Sequence, residues 1–391
     1  MNQRFIQLDS LRGLAALAVL FSHIILIPES MGSTMHSLLT APYSPFQILV
    51  DGHSAVILFF VLSGFVLSLP LLNGKYQSYH GYLIKRFFRI YVPYIISFFV
   101  ALTLLSLSPK LTGVGISESI NNTWSQNLSM SVIVEHILGI VNVHTEAINS
   151  PYWSLVHEMR ISIIFPFVVF LLRNVRWYYT VLIGLALFGF STLNDIFNIQ
   201  TSNGLNTTYF DSLHYLSFFL YGMLLAKHRI GIVDGFRALK NRFKYSVLAI
   251  SLICYNCSYG VIVVLNKLNI SVPFDRSLRE QVVAIGVAGF VIIVLSSSRV
   301  GNVLKNRIPV FLGNVSYSLY LYHMIIMLAF VHGFAGKVPL GYLLLASIVI
   351  SLVVAYAMWR FVEKPAMAIG KRLATRMTKK VVHPNKEYDA A

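Results

Sequence analysis

Arg12 and His23 stand in the first apolar stretch of the chain. On a helix rising about 1.5 Å and turning about 100° per residue, they lie about 16 Å apart along the axis and within about 20° of one direction, so one groove would receive both. A guanidinium binds anions and an imidazole titrates near neutrality. Such a pair suits an anionic donor that threads its reactive end inward past the cation. The alternative is a snorkelling arginine and a histidine bonded to a neighbour. A second group, Trp153-Ser154-Leu155-Val156-His157-Glu158-Met159-Arg160, puts Ser154, His157 and Glu158 at helical spacing on one face. It resembles His-Glu-x-x-His, but residue 161 is Ile, so the zinc-protease motif is absent and no metal is expected. The competing account is a buried ion pair that fixes helix packing. Ser316, Tyr317, Tyr320 and His323 recur at helical spacing and read either as a cavity lining or as links between helices. Lys85, Arg86 and Arg89 form a compact cationic cluster, fit for phosphate or for anionic lipid. Ser63 and Gly64 permit close backbone approach, with tight packing as the plain alternative.

These residues need helices in an apolar medium to position them. The chain of 391 residues is 56% hydrophobic and only 12% charged, against about 25% for a soluble domain. Its mean hydropathy is +0.68. At about 20 apolar residues per crossing, spans fall near 11–28, 52–72, 90–108, 151–172, 177–193, 211–226, 245–266, 278–297, 310–332 and 339–361. The fold class expected is an all-α membrane bundle of about ten transmembrane helices. Arg4 and Arg12 ahead of an apolar run imitate a signal peptide, but no small-residue cleavage site follows, so this run reads as a retained span. Residues 130–141 are apolar but short, which predicts a re-entrant or interfacial helix. Residues 1–370 form the membrane domain, and 371–391 read as a basic cytoplasmic tail without fixed structure.

The formal charge of +16 raises the question of nucleic acid. The basic residues sit in short loops between apolar runs, so the partner is the membrane surface, not nucleic acid. With the N-terminus in the cytoplasm, most of the 31 Lys and Arg fall on the cytoplasmic side, while Lys110, Lys267, Arg276, Arg279 and Lys337 fall outside. This is the positive-inside pattern, and it favours an even number of spans with both termini cytoplasmic. Cys254 and Cys257 lie in an apolar run and read as buried thiols rather than a redox pair.

Taken in order, several segments resemble the membrane-bound acyltransferase family 3, whose members O-acylate cell-surface glycans. They are Arg12 to His23 within Leu8-Asp9-Ser10-Leu11-Arg12-Gly13; Phe59-Phe60-Val61-Leu62-Ser63-Gly64; Lys85 to Arg89, with Lys in first place; Trp153-Ser154-Leu155 with Glu158; Gly313-Asn314-Val315-Ser316-Tyr317 leading to His323; and Glu363-Lys364-Pro365. The resemblance runs from Phe5 to Pro365. It implies a multi-pass protein of the bacterial cytoplasmic (inner) membrane and an acyl-CoA donor, usually acetyl-CoA, used from the cytoplasm. It also implies a sugar hydroxyl acceptor, often lipid-linked, as in exopolysaccharide or O-antigen, reached from outside. Some relatives carry a further hydrolase-like domain; this chain stops soon after its last span, so it is expected either to act alone or to need a separate partner.

On that basis His23 is expected to be the general base or a transient acyl carrier. Arg12 is expected to hold donor phosphate or to stabilise developing negative charge, and Glu158 to orient His23 or the acceptor. Lys85, Arg86 and Arg89 are expected to clamp the donor's phosphates. Ser63, Trp153, Ser154, Tyr320 and His323 are expected to line the substrate channel. A transporter or flippase of a glycan or small anion is the rival reading, though no repeated halves are found. A catalytically dead scaffold is a third. The acceptor sugar, the acyl group and the oligomeric state are not encoded in any residue pattern here.

Overall fold

The computed structural model describes residues 5–28, 38–39, 41, 44, 46–74, 78–108, 115–118, 120, 123–124 and 128–382, with side chains as far as 377. Arg4, Lys75, Lys110 and Lys386 of the charge pattern, and 383–391 of the tail, lie outside these residues. In chain order the helices are α1 (Ile6–Leu26), α2 (Gly52–Leu72), α3 (Tyr79–Arg86), α4 (Val92–Leu107), α5 (Met130–Leu138), α6 (Tyr152–Leu172), α7 (Trp177–Phe197) and α8 (Tyr209–Lys227). They continue as α9 (Arg229–Ala238), α10 (Asn241–Asn256), α11 (Tyr259–Lys267), α12 (Asp275–Ser296), α13 (Ser298–Leu304), α14 (Arg307–Phe334), α15 (Leu340–Met358) and α16 (Lys364–Val382). Among the described residues there is no strand, only one isolated bridge between Pro28 and Ile116.

Eight helices are long and apolar enough to cross a membrane, and the number reaches ten if each of two bent pairs counts as one span. The molecule is therefore an all-α, multi-pass membrane bundle. Its outer surface carries exposed Phe99, Phe170, Leu171, Leu345 and Val353. In water such a surface would be costly, and in lipid it is the expected exterior.

The expected span at 245–266 is two helices, α10 and α11, bent by 76°. Helix α10 stops at Asn256 with Cys257 as its cap, where polar Asn256, Cys257 and Ser258 interrupt the apolar run. Both cysteines are free and half-buried rather than fully buried. The segment expected to be re-entrant or interfacial contains α5, which ends at Gly139 with φ +66. The tail expected to lack structure from 371 is helical to Val382. Small residues on both sides bring this helix against α3 and the residues after it: Gly81 of α3 faces Ala374, and a Cβ at Gly370 would come within 2.7 Å of the Phe88 side chain.

Two close approaches hold the bundle centre. A Cβ at Gly64 in α2 would sit 2.1 Å from the Phe219 carbonyl oxygen, and one at Gly222 in α8 would sit 2.0 Å from that of Val61. Backbone thus meets backbone, the small-residue packing that helices use in lipid. Helix α1 meets α14 the same way, at Gly13 and Gly313. A fully buried aromatic core of Phe60, Tyr215, Phe219 and Phe165 fills the space between α2, α6 and α8.

Two π turns interrupt the helices, at Phe87–Tyr91 and Trp359–Glu363. Each is followed closely by a proline, Pro93 and Pro365. Proline lacks the N–H that would bond four residues back, and its ring crowds that carbonyl. The wider turn accommodates both, and such turns recur at functional sites.

Candidate active site

Helix α1 presents Arg12 near its start and His23 near its end, and the two line different cavities. The Arg12 cavity has a volume of about 450 Å³. Arg12, Arg86 and Arg89 face into it, with Glu158, Glu363 and Asp9. The His23 cavity is of similar size, about 490 Å³, and receives His53, Trp153, Asp51 and Gln47. Val56 and Tyr320 belong to both walls, so the cavities adjoin there. The single groove expected for Arg12 and His23 is thus two chambers in series with a shared partition. The helical repeat cannot show that α2 and α14 divide the space beside α1 through Val56 and Tyr320.

In the Arg12 cavity each arginine is balanced by an acid. Arg86 Nη2 lies 2.9 Å from Glu158 Oε1 and 3.3 Å from Ser162 Oγ. Ser63 Oγ reaches the same Glu158 oxygen at 3.4 Å. Arg89 Nη1 lies 3.5 Å from Glu363 Oε1, whose other oxygen accepts from Ser318 Oγ at 2.9 Å. Arg12 Nη1 lies 3.9 Å from Asp9 Oδ1. The two π turns face each other through the Arg89–Glu363 pair. Tyr317 donates to the Ile90 carbonyl at 2.7 Å and ties α14 to the first turn.

The partition is itself bonded. Tyr320 donates to the Pro151 carbonyl at 2.8 Å, and its oxygen lies 2.6 Å from Ser154 Oγ. Beyond it, His23 Nδ1 lies 2.9 Å from the Val19 carbonyl and donates to it, which leaves the Nε2 lone pair open. No described residue bonds that Nε2. His323 Nδ1 donates in the same way to the Leu319 carbonyl at 2.9 Å, so its Nε2 lone pair faces His23 Nδ1 at 3.4 Å. His323 is fully buried behind His23 and lines neither cavity.

Besides His323, which was expected to line the channel, three expected placements change. Glu158 pairs with Arg86 in the Arg12 cavity and does not stand beside His23. His157 does not share the functional face: it is buried against α8, with Nδ1 at 2.9 Å from Ser212 Oγ and Nε2 at 2.6 Å from the Asn206 carbonyl. The cavity takes the Ser154 and Glu158 edge of that arc, and His157 lies on the other edge. Lys85 lines neither cavity; it sits at the packed boundary of α3 and α16, where Lys371 is the charge acting on it. Arg160 ties loops together through the Ile140, Val141 and Thr208 carbonyls and takes no part in either cavity.

Sequence reasoning missed a second polar centre. Glu280 of α12 is 2% exposed and holds two imidazoles. His53 Nε2 lies 2.5 Å from its Oε1, and His214 Nε2 lies 2.6 Å from its Oε2. Arg276 pairs with Asp211 at 2.7 Å alongside. His53, His214 and Glu280 each fall within or beside an apolar run, a signal that marks each residue singly but not their meeting. Among the described residues no group of three His, Cys, Asp or Glu side chains is arranged to hold a metal ion.

Comparison with known proteins supplies one match. A family model described as an acyltransferase domain, family 3, matches residues 5–360. No curated protein matches the chain, and no solved structure does.

Proposed function

Because the chain belongs to this acyltransferase family, we propose that it moves an acyl group, most simply acetyl, from acyl-CoA in the Arg12 cavity to a sugar hydroxyl in the His23 cavity. The observation that carries this reading is the serial arrangement: three arginines in one chamber, two imidazoles in the next, and Tyr320 between them. Arginines suit the phosphates of a nucleotide-bearing donor. About 16 Å of helix separates Arg12 from His23. Oxyanion contacts need about 3 Å, so Arg12 is a phosphate ligand and not an oxyanion donor. The pantetheine arm of CoA carries the thioester past Tyr320 toward His23. There the Nε2 lone pair acts on the reacting atoms, as a base toward the hydroxyl or as the first acceptor of the acyl group. On this reading the Arg12 end faces the cytoplasm of a bacterial inner membrane with both termini on that side, and the basic loops support that orientation. The acceptor then approaches from outside, as a surface glycan or a lipid-linked sugar.

Purified protein incubated with labelled acetyl-CoA tests the reading. Thioester consumption in excess of spontaneous hydrolysis is expected, and its loss in His23→Ala. Arg86→Gln combined with Arg89→Gln is expected to raise the donor KM at least tenfold with a smaller change in kcat. A protein that leaves the thioester intact is a transporter or a scaffold instead.

A further inference from the structure

The His23 cavity holds a second imidazole, and the structure fixes it as tightly as the first. His53 Nε2 donates to Glu280, which leaves Nδ1 as the nitrogen carrying a lone pair, and no described residue bonds it. Its ring stacks on Trp153 with centroids 5.6 Å apart and 17° between planes. At 39% exposure the side chain is open to the cavity, while Glu280 is sealed behind it. His53 also stands close to His23. A Cβ on Gly52 would lie 2.2 Å from Ser22 Oγ, so the backbones that carry the two histidines abut. A carboxylate holding one imidazole nitrogen while the other faces a substrate cavity is the arrangement that orients a general base.

Direct transfer in one step needs only one base, and two oriented imidazoles in one chamber suit two steps. We propose that His23 Nε2 takes the acyl group first and that His53, oriented by Glu280, then activates the acceptor hydroxyl. The proposal rests on the acyltransferase reading above. In the first step His23 Nε2 attacks the thioester carbon; the N–C bond forms, the C–S bond breaks, and the thiolate leaves with the electron pair and takes a proton from solvent. In the second step the hydroxyl gives its proton to His53 Nδ1 while its oxygen attacks the acyl carbon. The C–O bond forms, the C–N bond breaks, and the electron pair returns to His23 Nε2. His53 returns its proton to solvent, so the sum is one ester and one thiol. The charges that face His53 are Glu280, Asp51 and Arg276, with His214 on the far side of the carboxylate. Glu280 is a positioning residue.

An acyl-enzyme intermediate exchanges thiols without any acceptor. The test therefore incubates full-length protein with acetyl-CoA and isotopically labelled free CoA, and separately measures acetyl transfer to the hydroxyl of n-octyl glucoside. Wild type is expected to exchange label into the thioester. His53→Gln is expected to keep exchange within twofold and to lose transfer at least a hundredfold, and His23→Ala to lose both. Glu280→Gln is expected to keep exchange and the donor KM while shifting the acid limb of the pH profile for transfer, which a purely structural role would not move selectively. Wild-type transfer without exchange overturns the acyl-His23 step and leaves the acyltransferase reading intact. Full transfer in His53→Gln overturns the base assignment. The absence of both exchange and transfer in wild type refutes the acyltransferase reading itself.

Discussion

Individual side chains here are chosen as pairs. Arg86 and Glu158 are 15% and 21% exposed and neutralise each other in the wall of the Arg12 cavity. Removing one partner strands the other charge, which costs about 3 kcal/mol or more in such settings. Arg86→Ala is expected to lower the thermal midpoint clearly, and adding Glu158→Gln to recover most of the loss; a double-variant cycle with no coupling would contradict this. His136 of α5 makes a different statement. It stacks on Phe98 at 5.1 Å, its Nε2 has no hydrogen-bond partner among the described residues, and burial pushes it down to about 4. The fold therefore prefers the neutral ring. Its contribution is whole above the unfolded value of about 6.5 and declines as pH falls from there toward 4, by up to about 3 kcal/mol. Hydrogen exchange in 130–138, corrected for intrinsic rate, is expected to rise on acidification, and His136→Phe to remove that dependence. Arg12 and His23 were legible because they are costly in lipid and lie on one helix. Glu280 was not, because its partners His214 and His53 are 66 and 227 residues away. A three-residue arc likewise cannot say which edge faces a cavity, and so His157 was misplaced.

Among elements, the apolar runs were readable because lipid demands long, self-bonded helices. The break between α10 and α11 was not, since Asn256, Cys257 and Ser258 include neither Gly nor Pro. Nor were the π turns, although Pro93 and Pro365 mark where each must end. The seam between α2 and α8 is the least forgiving part of the bundle. Gly222→Val would drive its side chain into the Val61 carbonyl, and neither backbone can yield without separating the helices. A loss of about 3 kcal/mol or more is expected, read as a lower thermal midpoint and as aggregation on size exclusion. An unchanged midpoint would mean that the two helices are not in backbone contact. Gly64 in the Ser63-Gly64 pair therefore serves packing, while Ser63 beside it faces Glu158.

At the scale of the molecule, α7 is among the eight helices long and apolar enough to cross a membrane, so the Arg176 and Thr201 loops at its two ends are expected on opposite sides. In a background with Cys254→Ser and Cys257→Ser, a cysteine at Asn73 or Arg176 is expected to react with an impermeant maleimide only from the cytoplasmic side, and one at Thr201 only from outside. The reverse pattern would turn the proposed donor and acceptor sides around. The partition at Tyr320 carries a last consequence. If the proposed transfer holds, a ring anchored on Ser154 and Pro151 would work as a sieve, passing a two-carbon unit on a slender tether and stalling a bulky one. Selectivity for acyl length would then reside in one aromatic side chain, and Tyr320→Ala should admit butyryl and hexanoyl thioesters that the intact pore turns away.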